Sequence, residues 1–386
     1  MAPSLHQLPR KLDDPETRAR KPHVDMLVNH TLVRTLKTRS DIIRCLTDFL
    51  YRQGFNSVTT PLLGAGAGGA VARPFVTKAT EFDGTELNLR IAPELWLKRL
   101  VVGGMGKVFE IGPAFRNEGV DNTHNPEFTI CEFYSPFTTL PELMETTESL
   151  LRVVHEFLSA RSKDRYPQLQ ETLVTPLMQE IGSSSPSYPK LEFVPTLEML
   201  LEVSLPRLTD ADASQRLLDL FAEKGLTVPS KPTLPRLLDA LAAEYLEPLC
   251  QNPTFIINHP VALSPLAKSF TCPKTGQEVS ARAELFINAR EYANMYEEEN
   301  SPFEQRKKFV DQLQYRAVDG EGDARERSGE IDESYLEALE WGLPPTGGWG
   351  IGIDRLVMLF SGQTRISDVL PFGTLRNIVG LASRPK

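Results

Sequence analysis

Between Phe109 and Tyr134 the chain reads FEIGPAFRNEGVDNTHNPEFTICEFY, and Arg116, Glu118, His124, Glu127 and Glu132 in that stretch can do chemistry. A guanidinium such as that of Arg116 forks onto a carboxylate or phosphate in two parallel hydrogen bonds, a geometry lysine cannot supply. The carboxylates of Glu118 and Glu132 can accept from amines. A second group lies in AELFINAREYANMYEEENSP, where Glu284 and Glu291 bracket an apolar strand and Asn294, Tyr296 and Glu298 alternate. A period of two puts those three on one face, and paired acids on a sheet face suit a magnesium ion held together with substrate phosphates. The same pattern also describes an ordinary solvated face. Glu94 in APELWLKRL is either a dipole-complementing acid at a helix start or an acceptor near the sheet.

Positioning these groups requires strands and helices around them. The runs FEIGPAF and FTICEFY are β-branched and aromatic, and the Gly, Asp, Asn and Pro between them let the backbone reverse. The expectation is a hairpin whose charged tip faces a cleft. Before it, Leu36, Ile42, Ile43, Leu46, Phe49 and Leu50 recur at helical spacing and Gly54 follows, so residues 32–53 read as one amphipathic helix. FNSVTTPLL reads as a strand ending at Pro61, and GAGAGGAVARPF as a flexible loop that lets backbone approach a ligand, Gly69 above all. A strand up to Ile91 then leads into a helix with Pro93 in its first turn.

After the hairpin, PELMETTESLLRVVHEFL predicts a helix, and residues 161–252 read as a helical insertion punctuated by Pro and Ser. Strands return at PTFIINHPVALSPLAK. Residues 304–339 are polar and helical, interrupted by DGEGDARERSGE, which reads as a mobile loop. In LPPTGGWGIGIDRLVMLFSG the glycines flanking Trp349 and Ile351 allow a strand to lie close under a flat ligand, with Asp354 capping the helix that carries Arg355. By itself that string equally describes a tight strand-to-helix packing point.

The 386 residues are long for a single core, so one large domain with an insertion, or two domains, is expected. A net charge of −9 speaks against a chain-wide electrostatic grip on nucleic acid, leaving only a local basic patch. No apolar run approaches the ~20 residues that span a bilayer. Cys45, Cys131, Cys250 and Cys272 form no CxxC pair, which indicates neither a disulfide framework nor a zinc site and suits a reducing compartment. The N-terminus has no apolar segment for secretion, and its mixture of Arg with Asp13, Asp14 and Glu16 leaves the cytoplasm and the mitochondrion both open.

In order along the chain, the helix, strand and proline of residues 32–61, the FRNEG to HNPEF hairpin and the GIGIDRL strand-helix resemble motifs 1, 2 and 3 of class II aminoacyl-tRNA synthetases. APELWLKRL, FRNEGVDNTHNPEFTICEFY, SPLAK and PPTGGWGIGIDRLVMLF are similar to the lysyl-tRNA synthetases within that class, and the resemblance runs from about Leu8 to Asn377. It implies an α+β fold, an antiparallel sheet flanked by helices, with motif 1 at a homodimer interface. The implied chemistry is attack of the lysine carboxylate on the α-phosphate of ATP, giving lysyl-adenylate and pyrophosphate with no protein nucleophile.

The resemblance also implies roles. Arg116 matches the arginine that bridges the amino-acid carboxylate and the α-phosphate, and Arg355 the one that grips the γ-phosphate and stacks beneath the base. Glu118 matches the acceptor from the adenine amine, His124 a phosphate contact and Phe128 the ring stacked on adenine. Glu284 and Glu291 match magnesium ligands. Glu94, Tyr134 and Glu298 match the groups around the ε-ammonium, Gly69 and Glu132 those at the α-amino group, and Asn294 and Tyr296 line the same pocket. The retention of these residues speaks against a catalytically dead paralogue.

Two departures stand out: ENSP at residues 299–302 where LNDP is common, and Gly373 in place of a usual proline. Residues 1–30 look like the linker that follows an OB-fold anticodon-binding domain, so the expected division is an N-terminal remnant at 1–30 and a catalytic domain at 31–386. The implied partners are lysine and the acceptor end of tRNA, with no membrane. The alternative acceptor is a protein or small molecule, as for the elongation factor P lysine ligases.

Overall fold

The structure, a computed structural model, describes residues 7–64, 72–82, 84–319 and 331–382. Gly69 and all but the first residue of DGEGDARERSGE lie outside the described residues. The frame of the site is one eight-stranded sheet, its strands numbered along the chain as β1 (Asn56–Ser57), β2 (Val108–Phe115), β3 (Glu127–Pro136), β4 (Lys190–Glu192), β5 (Thr254–Ile257), β6 (Arg282–Ile287), β7 (Arg290–Glu297) and β8 (Thr346–Gly352). They lie in the order β1-β2-β3-β8-β7-β6-β5-β4. The outermost pair at each edge is parallel and the rest are antiparallel. The α+β architecture expected from the sequence is the one observed.

The hairpin from Phe109 to Tyr134 forms as anticipated, with Phe115 opposite Glu127 and Val108 opposite Tyr134. The stretch bracketed by Glu284 and Glu291 differs from the expectation of one strand. It is a second hairpin, β6 and β7, reversed at Asn288 and Ala289 with φ of 52° and 53°. A two-residue turn with both φ values positive matches the right-handed twist of the flanking strands, but alanine rarely enters that region. A register shift between Leu285 and Phe286 sets Glu291 opposite Phe286.

Register then collects the site residues into rows. Glu132, Gly350, Asn294 and Glu284 lie opposite one another across β3, β8, β7 and β6, and Tyr134, Gly348, Tyr296 and Arg282 form the adjacent row on the same face. The intervening row of Phe133, Trp349, Met295 and Ala283 points the other way. There Trp349 stacks on Phe133 at 4.8 Å and its Nε1 donates to Thr147 Oγ1 at 2.8 Å, on the helix Leu140–Ser159. That helix, the helix His30–Arg52 and the helix Ile353–Ser361 bury this back face in the principal core.

Asp354 does not cap its helix. Gly352 is the cap residue, and the Asp354 carboxylate instead accepts from Arg39 Nη1 at 2.5 Å and from the Thr129 backbone N–H at 3.0 Å. It thereby ties the first long helix, β3 and the Arg355 helix together. Within the segment 161–252, Leu169, Leu173, Met178, Ile181 and Tyr188 join the principal core. The helices Phe193–Leu201, Ala213–Lys224 and Leu234–Leu241 build a core of their own.

Both departures noted in the sequence have local structure. Glu299 is buried and pairs with Lys308 Nζ at 2.6 Å, itself bound to the Ala267 carbonyl at 2.6 Å. Gly373 takes φ of +71°, a region closed to proline. No helix among the described residues is long and apolar enough to cross a membrane.

Candidate active site

A cavity of about 400 Å³ opens on the front face of the sheet. It is bordered by Glu94, Arg116, Glu118, His124, Phe128, Glu132, Tyr134, Glu291, Asn294, Tyr296 and Arg355. Of the other residues singled out from the sequence, Glu284 and Glu298 do not border it. The floor between its two ends is Gly348, Gly350 and Gly352 of β8. A Cβ on Gly348 would run into Glu298 Oε1 and lie 2.7 Å from Tyr134 Cε1, and one on Gly350 would touch Glu132 Cγ at 3.4 Å. Glycine is required at Gly348 because neighbouring side chains occupy the space, whereas a Cβ on Gly350 would make only an ordinary contact.

One end is cationic. The Arg116 guanidinium lies 5.2 Å from the centre of the Phe128 ring, and its Nε is buried with no hydrogen-bond partner. An unpaired buried donor is costly, which favours an anion or acceptor beside it. The Arg116 N–H donates to the Pro126 carbonyl at 2.8 Å, closing the loop between β2 and β3. Arg355 Nη1 donates to the Glu291 carbonyl at 2.8 Å, and Nη2 lies 2.9 Å from His124 Nε2. Arginine can only donate, so His124 accepts at Nε2 and donates from Nδ1 to Asp121 Oδ2 at 2.8 Å. Glu118 is exposed at the cavity rim.

Beside this end, Glu284 accepts from Arg282 Nη2 at 2.5 Å and faces His259 Nε2 at 3.1 Å. Burial pushes its carboxyl up, but Arg282 and His259 pull harder and hold it at about 2. Glu284 is therefore ionised and already bonded, while the Glu291 carboxylate is partly open, 3.5 Å from Arg355 Nη1. No group of three or more His, Cys, Asp or Glu side chains among the described residues forms a metal cage. This donor set fits a magnesium ion carried in by nucleotide phosphates, which needs one or two protein carboxylates.

The other end is acidic and phenolic. Glu94, at the start of the helix Glu94–Val102, accepts from Tyr296 Oη at 2.6 Å. Tyr134 Oη donates to Glu132 Oε2 at 3.3 Å. Burial and the nearby carboxylates hold both phenols protonated, so they act as donors. Burial, then the Glu94 charge, push the Glu132 carboxyl up to about 8.

Two cations, the buried Lys98 and the half-buried Arg282, were not anticipated. Lys98 Nζ binds Glu94 Oε1 at 2.6 Å and pairs with Glu298. Burial would strip its proton, but Glu298 and Glu94 hold the ammonium charged. Its spacing of four from Glu94 on one helix was the available signal. Arg282 binds Asn294 Oδ1 at 3.0 Å, Glu284, and the Leu263 carbonyl at 2.6 Å, so it fixes the SPLAK loop to the sheet. Its spacing of two from Glu284 put both on one face.

Comparison with known proteins points the same way. Residues 14–376 match the tRNA synthetases class II (D, K and N). A protein of Encephalitozoon cuniculi named probable lysine–tRNA ligase, cytoplasmic, is 41% identical over 97% of this chain and 72% of its own length. The mitochondrial lysine–tRNA ligase of Schizosaccharomyces pombe is 40% identical over 98% of this chain and 68% of its own. The lysine–tRNA ligase of Carboxydothermus hydrogenoformans is 39% identical over 97% and 73%. With the second and third motif stretches lining one cavity and the match covering nearly the whole chain, the chain belongs to the class II tRNA synthetases of the D, K and N group.

Proposed function

We propose that the chain is a lysine–tRNA ligase, which activates L-lysine with ATP and transfers it to tRNA-Lys. The observation that carries this reading is a single cavity with a cationic end and an acid-phenol end, joined by a floor without side chains. On this reading ATP lies over the cationic end, its adenine between Phe128 and Arg355 and its amine at Glu118. His124 and Arg355 contact phosphate oxygens. Arg116 bridges the lysine carboxylate and the α-phosphate, supported by its unpartnered buried Nε.

A lysine carboxylate oxygen then forms a bond to the α-phosphorus as the bond to the pyrophosphate oxygen breaks. The attacking group is already ionised, so no protein base is needed. Arg116 lowers the barrier by meeting charge that develops on the transferring group, and the two substrates react because they are held together. Glu291 and Glu284 would hold a magnesium ion brought by ATP, which would neutralise phosphate charge.

The lysine α-amino group takes Glu132, with Gly69 assigned by resemblance alone, and the ε-ammonium takes Glu94 and Tyr134. Asn294 and Tyr296 wall the pocket. A neutral amino acid would leave buried carboxylates without a partner, which accounts for selectivity. The same reading gives a homodimer across the first long helix and a place in the cytoplasm or the mitochondrion.

Labelled lysine and ATP incubated with the protein and either total tRNA or tRNA-free extract test the acceptor. Label in the tRNA fraction is expected; label confined to protein or small molecules would overturn transfer to tRNA.

A further inference from the structure

We propose that Lys98 is a positioning residue for the ammonium end of the pocket: it cancels the charge of Glu298 and holds Glu94 so that only Oε2 is offered to the substrate. This rests on the assignment of Glu94 and Tyr134 to the ε-ammonium and refines the place of Glu298 in it.

Lys98 and Glu298 are both 0% exposed and neither borders the cavity, whereas Glu94 does. Lys98 Nζ sits among the rings of Tyr134, Tyr296 and Tyr335, at 5.8, 5.7 and 5.8 Å from their centres. That cage, one turn along the helix from Glu94, leaves the ammonium no route to water. Lys98 and Tyr296 both donate to the same oxygen, Glu94 Oε1, each at 2.6 Å. Two donors on one oxygen fix the carboxylate plane and turn the other oxygen towards the cavity.

Charge balance gives the second line of support. Glu94, Glu132 and Glu298 converge within one desolvated site, where three uncompensated carboxylates could not all ionise. One resident ammonium, paired with both Glu298 and Glu94, reduces the negative charge that this site holds. Glu298 Oε1, buried and without a hydrogen-bond partner, occupies the space into which a Cβ on Gly348 of the cavity floor would point. Its other oxygen, Oε2, pairs with Lys98.

A crystal structure of the unaltered protein with L-lysine tests this without any change in folding. The expected result keeps Lys98 Nζ on Glu94 Oε1 and seats the substrate ε-ammonium on Oε2. A substrate ammonium bonded directly to Glu298, with Lys98 displaced, overturns it. In parallel, the charge-neutral exchange Lys98→Met with Glu298→Gln should raise the lysine KM at least tenfold, with a smaller effect on kcat and none on the ATP KM. An unchanged lysine KM in that variant would make the pair structural only. Failure of the underlying assignment reads differently: Glu94→Gln in the unaltered background would then leave the lysine KM where it was.

Discussion

Arg355 Nη2 lies 2.9 Å from His124 Nε2, so a residue after the last strand of the sheet is steered by one from the tip of the first hairpin. The Asp121 carboxylate behind His124 fixes the imidazole in the tautomer that can accept. His124→Ala removes one of the two side-chain hydrogen bonds that orient Arg355. A hydrogen bond to a charged group is worth roughly 1.5–3 kcal/mol, so ATP KM should rise about tenfold or more with lysine KM little changed. Titrating ATP in a pyrophosphate-exchange assay reads this directly.

Arg116→Lys keeps the charge but loses the fork. By analogy with deleting one oxyanion donor, the transition state should lose roughly 2–4 kcal/mol, a fall in kcat of about thirty- to a thousandfold. Single-turnover adenylate formation would measure it, and an unchanged rate would remove Arg116 from the chemical step.

Glu132 gives a pH signature. Its carboxyl is raised from 4.5 to about 8, so the fold favours the protonated form. The associated stability is fully present below about pH 4.5 and is lost as pH rises towards 8. The difference in unfolding free energy between the unaltered protein and Glu132→Gln should therefore shift against the unaltered protein across that window, with lysine absent. Denaturant titrations at several pH values give the curve, and a flat difference would show that Glu132 is not held neutral.

Much of this arrangement was legible in the sequence, for identifiable reasons. The first hairpin declared itself because its apolar runs are β-branched and aromatic and its loop residues favour reversal. Glu298 was expected to share a face with Asn294 and Tyr296, and its pairing with Lys98 could not be read from that alternation, because β7 ends at Glu297. The Asn288–Ala289 turn was hidden because alanine gives no sign of a positive φ. Asp354 looked like a cap because its position near a helix start was local information, whereas its partners Arg39 and Thr129 are hundreds of residues away along the chain. Long-range ion pairs leave no spacing to read.

The Glu299–Lys308 pair yields a stability prediction. Lys308→Met alone leaves a buried carboxylate unpaired and should destabilise by roughly 3–5 kcal/mol. Adding Glu299→Leu, the residue common in that motif, should restore most of the loss. Urea midpoints of the single and double variants check this, and equal midpoints would contradict it.

The central claim is that the cavity activates lysine with ATP. Exchange of labelled pyrophosphate into ATP tests it most directly, with L-lysine, L-arginine and L-norleucine compared. The account predicts exchange that depends on lysine and is lost with norleucine, which lacks the ε-ammonium; no exchange at any lysine concentration, or equal exchange with norleucine, would contradict it.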